Sequence, residues 1–435
     1  MKCSKTLSVL FAFALSCSPP LSQAEEGITE NTIFFGSILP LSGRAQALGK
    51  GMKAGLDSSL AGHTVGTRHI ILRYLDDLYE PVLTHLKVRK LERRGIFAMI
   101  GNVGTPTAAV SLPMLKKAGI PAIGFFTGAG LLRTGEGPVL NYRASYVQET
   151  AAVIDAALAA GLKPENVCAY VQNDAYGKAG LVGMRKALEK ADAPLDVLSG
   201  LQALFDTAKG GDLVPRIGPR APVNTHGPVG VYVRNTQEVE PGYQALKDWE
   251  KKTGYVCKLV ITVGAYDNIA RFVKFARANG ENWVISAVSF TGADALARTT
   301  EQLGVAENNL IMSQVVPLLD STLPIVREAR DALGSDFGFV SLEGYIVGKM
   351  TLKLLEETPA PLTRKNFVEH ARQSKFDLGG LSIDFTRNGY QASDLVVISY
   401  LSGGQYLHTT PEVWRQMFNW KPHKRTDGKK SARRP

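Results

Sequence analysis

Cysteine is scarce in this chain: four among 435 residues, with no C-x-x-C pair and no histidines at metal-ligand spacing. That removes the usual grounds for a structural zinc or a dithiol centre. No strand-like run is followed by G-x-G-x-x-G or by a Walker lysine, so no nucleotide cradle is expected. The nucleophile elbow G-x-S-x-G is missing, and Ser42 and His85 stand alone as residues of triad type, which leaves no argument for an enzyme. No catalytic residue, metal or cofactor is therefore expected. Beyond the N-terminus no apolar run is long enough to cross a bilayer. Charge of one sign is also missing from the body of the chain. The formal +10 is gathered at the ends, where residues 1–24 carry Lys2 and Lys5 without an acid and residues 421–435 carry seven Lys or Arg against Asp427. The near-neutral body argues against nucleic acid as a partner, because a nucleic-acid protein places its basic residues in a patch on the fold.

The N-terminal segment has the three parts of an export signal. Lys2 and Lys5 precede apolar Leu7–Leu15, and Ser22-Gln23-Ala24 supplies a small-x-small cleavage pattern, so residues 1–24 read as a cleavable signal peptide. Cys17 offers a lipoprotein alternative, but Ala14-Leu15-Ser16 lacks the Leu usual three places ahead of a lipidated cysteine. The expectation is an exported, soluble protein of the periplasm. The basic tail, 421–435, reads as a solvated disordered terminus, with contact to anionic lipid as the alternative. Cys168 and Cys257 remain after cleavage. They sit in NVCAYVQ and YVCKLVITV and read as buried strand thiols. Pairing is the other possibility, since spacing alone does not give the geometry.

The stretch Phe97–Gly130, FAMIGNVGTPTAAVSLPMLKKAGIPAIGFFTGAG, is the most informative. Apolar Phe97–Ile100 reads as a buried parallel strand ending in the small-residue loop Gly101–Gly104. Thr105-Pro106 matches a helix start, with Thr as N-cap and Pro in the first turn. Pro113 is expected to kink or split that helix. A second apolar run, Ile120–Phe126, gives way to Thr127-Gly128-Ala129-Gly130. The result is a β-α-β unit with a small-residue loop at the carboxyl end of each strand, the edge where open α/β sheets bind ligands. Free N–H groups at the helix start favour an anion such as a carboxylate.

Similar units recur along the chain. About 410 mature residues exceed one core, so two domains are expected. Strands are expected at Ile33–Leu39, His69–Leu75, Val139–Arg143, Asn166–Gln172, Val229–Val233, Cys257–Val263, Trp283–Val288 and Ile311–Val316, with helices between them. Asp76-Asp77 ends one strand and reads as a loop hydrogen-bonding pair, because adjacent strand residues point apart. From Gly200 to Gly227 the pattern weakens under Gly210-Gly211, Pro215, Pro219 and Pro222, and a surface insertion or long loop is expected.

FGSILPLSG, YLDDLYEP, IGNVGTPT, IPAIGFFTGA, YVQNDAYGKAG and VGAYDN occur in the order and spacing of type I periplasmic solute-binding proteins. Over roughly Ile28–Leu407 the chain resembles the branched-chain amino-acid (Leu/Ile/Val) binding branch of ABC transport systems. The resemblance implies an α/β fold of two doubly wound parallel-sheet lobes joined by three crossover strands and closing on a small ligand. It implies lobe 1 from 25–145 and 318–392 and lobe 2 from 146–317 and 393–420. It also implies a monomer that delivers an amino acid or related carboxylate or amide to a membrane permease. A ligand-sensing receptor or regulator is the alternative within the same fold, and an exported hydrolase lacks its nucleophile. By the same resemblance, Gly104 and Thr105 hold the ligand carboxylate. Phe126, Thr127 and Gly128 add a carbonyl for an ammonium and further donors. Leu48 covers the ligand, and Tyr176, Tyr266, Phe290 and Thr291 close from the second lobe. Two features depart from the pattern. Pro106 removes a backbone donor, and SFTGAD has no Glu where a carboxylate would meet an ammonium, with Asp294 a few residues late.

Overall fold

Apolar runs that are buried on both faces and separated by amphipathic helices can be satisfied by parallel strands with helices on either side. The computed structural model describes residues 25–208, 211–215, 222–305 and 308–419. The expected signal segment and basic tail lie outside the described residues.

The first lobe opens with β1 (Thr32–Leu39), α1 (Gln46–Leu60), β2 (Thr64–Val65), β3 (Arg68–Asp76) and α2 (Pro81–Arg93). It continues with β4 (Ala98–Ile100), α3 (Thr105–Ala118), β5 (Ala122–Ile123) and β6 (Val139–Leu140). Its sheet runs β2-β3-β1-β4-β5-β6 and is parallel except for the β2–β3 pair. The chain then crosses to α4 (Tyr146–Ala159), β7 (Val167–Gln172), α5 (Ala175–Lys190), α6 (Leu195–Thr207) and β8 (Val229–Tyr232). There follow α7 (Glu240–Thr253), β9 (Leu259–Val263), α8 (Tyr266–Ala278), β10 (Val284–Ala287), α9 (Ala293–Gln302) and β11 (Leu310–Gln314). It returns with α10 (Pro324–Leu333), α11 (Phe339–Glu357), which lies along α1, α12 (Arg364–Arg372), and the hairpin β12 (Lys375–Leu378) and β13 (Leu381–Asp384). Finally β14 (Val397–Ser402) and β15 (Gln405–His408) rejoin the second sheet ahead of α13 (Pro411–Asn419). That sheet runs β15-β14-β11-β10-β9-β7-β8, parallel from β11 to β8 with an antiparallel edge. The fold is therefore mixed α/β with two parallel-dominated lobes. The chain passes between the sheets three times: after β6, after β11 and after β13.

Four expectations are corrected. The cap of α3 is Gly104, at φ 110°, and Thr105 is already helical, so its hydroxyl is free for another partner. Pro113 sits inside α3, which nevertheless runs as one helix through Ala118. The expected loop from Gly200 begins instead inside α6, whose Val197, Leu201 and Leu204 are buried against the second lobe; apolar spacing outweighed the later glycines and prolines. Lastly, Cys168 and Cys257 are paired, with Cα atoms 5.6 Å apart. Sheet order explains the pairing. β9 lies directly beside β7, with Cys168 opposite Val260, so a residue just before β9 falls within disulfide reach of the start of β7.

This disulfide closes a loop spanning a sequence separation of 89 in the second lobe. Reduction or Cys257→Ser should lower unfolding free energy by about 2–5 kcal/mol, seen in calorimetry as a lower melting temperature. An unchanged melt would show that the bridge carries no stability.

Candidate ligand-binding cleft

The loops at the carboxyl ends of the two sheets meet, and small residues let them approach. Gly104 ends the β4 loop in a left-handed conformation, and a Cβ there would run into the ring of Tyr79. Gly128 packs so closely on Tyr146 that a Cβ would collide with its ring and backbone nitrogen. The β4 and β5 loops are zipped together by an isolated bridge, Val103 to Phe126, in which Phe126 N donates to Asn102 O (2.8 Å) and Gly104 N to Phe126 O (3.2 Å). Extending the sheet past its strands in this way brings Thr105 and Thr127 together. Their hydroxyls are 2.7 Å apart and wholly buried.

Tyr79 reaches the cleft from the turn after β3. Asp76 accepts from Leu41 N and Leu78 N, and Asp77 accepts from Tyr79 N (3.0 Å) and Thr84 Oγ1 (2.7 Å). The two acids thus hold a loop, as their alternation on a strand end implies. Burial pushes Asp77 up to about 6 against the hydrogen bond from Thr84. Between them they hold Leu78 and Tyr79 at φ 55° and 61°, a strained conformation for residues with side chains.

From the second lobe comes Phe290, on a 3-10 turn, Ser289–Thr291, that follows β10. Its ring is fully buried between both lobes: 5.2 Å from Phe126 and 5.9 Å from Tyr79 on one side, 4.7 Å from Tyr176 on the other. Tyr176 also meets Tyr146 at 5.2 Å. Aromatic contacts at these separations add stability beyond the area they bury. Tyr146 is placed by a capping box at the start of α4, where Ser145 Oγ accepts from Gln148 N and Gln148 Oε1 from Ser145 N. Its phenol lies against Thr127 but completes no hydrogen bond of good geometry, and burial pushes it up to about 12.

The structure brings most of the sequence-named residues together: Gly104, Thr105, Phe126, Thr127 and Gly128 face Tyr176, Phe290 and Thr291. Leu48, which is wholly buried, and Tyr266 line a separate open groove of about 880 Å³ between the lobes. Leu48 packs on Gly292, and the Tyr266 hydroxyl accepts from Ala47 N at 3.4 Å.

A buried polar cluster beneath the aromatic rings was not read from the sequence. Arg143, just after β6, has its guanidinium 4.9 Å from the Phe126 ring centre. It pairs with Glu149 at 3.3 Å and Glu343 at 3.5 Å and donates to Ser289 Oγ. Glu149 also accepts from Ser289 N (2.8 Å) and Ser313 Oγ (2.7 Å). Burial alone would lower the Arg143 pKa, but Glu343 and Glu149 raise it. Burial pushes Glu343 up to about 7, opposed by Arg143. A lone Arg closing the apolar run VLNYR and a lone Glu in FVSLEGYIVG were the available signals.

At the opposite edge Arg234 joins the lobes, pairing with Asp174 at 3.0 Å and with Glu80 at 2.9 Å, while Asn235 donates to Glu80 at 2.7 Å. Gln172 donates to Tyr79 OH (3.3 Å) and Asp174 (2.7 Å). Among the described residues no group of acids, histidines or cysteines could hold a metal, and no helix is long and apolar enough to cross a membrane.

The family model described as periplasmic binding protein matches residues 32–202. A possible leucine/isoleucine/valine-binding protein from Rhodopirellula baltica SH 1 is 34% identical, with 88% of this chain and 97% of that one covered at a TM-score of 0.76. The chain belongs to the periplasmic binding protein family. Two more distant members share the fold: a leucine binding protein from Thermotoga maritima MSB8 (17% identity, 87% and 98% covered, TM-score 0.68) and an ABC-transporter solute-binding protein from R. palustris in complex with 4-hydroxybenzoate (16%, 87% and 96%, TM-score 0.66). No curated protein matches the chain. In this periplasmic binding protein the cleft between lobes carries a buried hydroxyl pair, five rings and a guanidinium.

The Glu343 pKa makes a signed prediction. Between the ordinary carboxylate pKa, ~4.3, and about 7 the folded state binds a proton that the unfolded state has lost. Its contribution to stability is therefore present at low pH and lost as pH rises through that window. Glu343→Gln removes the effect. The melting temperature of the variant relative to the parent should rise between pH 5 and pH 8, equivalent to roughly 1–3 kcal/mol. A difference independent of pH would refute it.

Proposed function

We propose that this protein is the extracytoplasmic substrate-binding component of an ABC importer. It captures a small polar metabolite, an amino acid or a related carboxylate or amide, between lobes formed by 25–145 with 318–392 and by 146–317 with 393–420. The observation that carries this reading is the convergence of Thr105 and Thr127 at the base of a cleft that both lobes line with aromatic rings. Two hydroxyls and the N–H groups of a helix start suit a carboxylate oxygen. Rings from opposite lobes suit the ligand body, so that ligand contact favours the closed arrangement over the open one. Gly104, Gly128, Leu48, Thr291 and Tyr266 complete the contact set, with Leu48 and Tyr266 acting from the separate groove. The reading has the protein in the periplasm as a monomer, handing its ligand to a membrane permease and performing no chemistry on it.

A thermal-shift screen against amino acids, carboxylates and amides tests this. A ligand at 100 times its Kd should add ~2.7 kcal/mol. Thr105→Ala should then cost about 1.5–3 kcal/mol of binding. Because Gly104 and not Thr105 caps α3, the unliganded variant keeps its cap but loses the buried bond to Thr127, so its melt should fall by the equivalent of about 1–3 kcal/mol and is measured alongside. Unchanged affinity would place the site elsewhere.

Motion is tested separately. Arg234 spans the lobes through Glu80 and Asp174, so Arg234→Ala should shift the unliganded protein towards an expanded form in small-angle scattering, and saturating ligand should compact it. Identical profiles for parent and variant, with and without ligand, would mean that the lobes do not open about this edge.

A further inference from the structure

The hydrogen-bond inventory around the cleft is unequal: its buried acceptors are committed, and its unpaired groups are mostly donors. Asp174 accepts from Tyr176 N (2.9 Å), Gln172 Nε2 (2.7 Å) and Arg234 (3.0 Å). Glu149 is held by Ser289, Ser313 and Arg143. Asp294, the nearest acid to the Phe290 turn in sequence, accepts from Phe339 N at 2.8 Å at the start of α11. In the Phe126–Gly128 loop, expected to offer a carbonyl to an ammonium, the Phe126 carbonyl accepts from Gly104 N and the Gly128 carbonyl from Tyr146 N. By contrast Arg143 Nε, Tyr146 OH, Thr291 Oγ1 and Gln314 Nε2 are buried without a hydrogen-bond partner, and Arg143 Nη1 has only its ion pair with Glu343 at 3.5 Å.

We propose that the ligand is a carboxylate with an aromatic or bulky apolar body and no ammonium group. The inference rests on the reading of this cleft as the binding site and narrows it. A buried ammonium needs acceptors, and leaving it unpaired is costly. A carboxylate offers two acceptor oxygens to a region whose open groups donate, namely the Tyr146 phenol beside Thr127 and the Arg143 guanidinium behind the Phe126 ring. The walls fit the rest of such a molecule. Phe126, Tyr79, Tyr176, Tyr146 and Phe290 present faces and edges at 4.7–5.9 Å from one another, and Thr291 adds a buried hydroxyl from the Phe290 turn.

One acceptor competes. Glu343 Oε1 makes no hydrogen bond of good geometry, although it lies 3.5 Å from Arg143. It packs with Gln314, Phe126 and Phe339 around a gap too small to admit a water molecule. The charge count still accommodates a carboxylate. Glu149 balances Arg143, and Glu343, facing Arg143, Glu149 and Arg133, is raised far enough by burial to take up a proton when a second negative charge arrives. Protonated, it too becomes a donor.

The experiment uses matched pairs measured by calorimetry: phenylalanine against 3-phenylpropionate, and leucine against 4-methylpentanoate, with 4-hydroxybenzoate as a rigid aromatic acid. The expected result is that one or more of the acids binds at least tenfold tighter than its amino-acid counterpart. Tyr146→Phe, which removes a hydroxyl without a hydrogen-bond partner, should leave the melting temperature unchanged and weaken the acid tenfold or more. Glu343→Gln should keep acid binding. Binding of the amino acid in preference to the acid, lost more than tenfold in Glu343→Gln, would overturn the proposal and make Glu343 the ammonium acceptor. Absence of binding by every acid would overturn it as well. If a ligand from the broader screen then responds to Thr105→Ala, the cleft reading survives that failure. If acids bind but neither Thr105→Ala nor Tyr146→Phe affects them, it is the cleft reading that fails.

Discussion

The arrangement of the two lobes depends on one buried guanidinium. Arg143 stands where the chain first leaves the first sheet. It reaches Glu149 on the opening helix of the second lobe, Ser289 on the turn that bears Phe290, and Glu343 on a helix of the first lobe. A charge in such a place is tolerated only with counter-charges and hydrogen bonds arranged around it, and removing one partner costs more than the pair contributes. These partners come from three separate stretches of chain. A single side chain thereby couples the path of the first crossover, the position of the Phe290 turn and the seating of α11 on α1. The rings of Phe126 and Tyr146 lie over it at 4.9 and 5.8 Å.

Above that base the lobes touch in two unlike ways. In the middle the contact is aromatic and non-directional, with Phe290 between rings of both lobes. At the edge it is polar and directional, with Arg234 and Asn235 fixed on Glu80. The two are joined through Tyr79, whose ring meets Phe290 while its hydroxyl accepts from Gln172, and whose backbone is held in a strained turn by Asp77. Strain of this kind persists only where the surroundings over-determine it. Here Asp76, Asp77 and Gly104 all act on the same few residues. Loss of the edge contact would therefore release Tyr79 as well as the lobe.

Almost all of the fold was legible in the sequence, and less of the site. Alternating apolar strands and amphipathic helices are local signals, and small-residue loops such as Gly101–Gly104 and Thr127–Gly130 mark the carboxyl edges without any knowledge of neighbours. What escaped depends on partners far away along the chain. Arg143 and Glu343 are 200 residues apart, and only packing shows them to be one cluster. The cysteines were ambiguous because β8 takes the sheet edge and leaves β9 beside β7, an order that strand spacing does not reveal. Thr105 was misread for a subtler reason. A Thr-Pro helix start is a good cap pattern, but Gly104 can adopt the capping conformation at φ 110° and lets the helix begin one residue earlier.

The same dependence on distant partners explains where polarity sits in the cleft. The turn after β10 could have supplied a charge from Asp294, but that carboxylate is drawn to the amide of Phe339, at the start of α11 and 45 residues away. A helix N-terminus favours an acid there through its unpaired N–H groups and its dipole. With Asp294 so engaged, the turn contributes a ring to the cleft in place of a charge. Directional contacts then fall to the first lobe and to its crossover, through Thr105, Thr127 and Tyr146, while the second lobe contributes shape through Phe290 and Tyr176. On the proposed reading, closure brings the Thr105–Thr127 pair and the rings of both lobes around the ligand, which holds the lobes together by touching both.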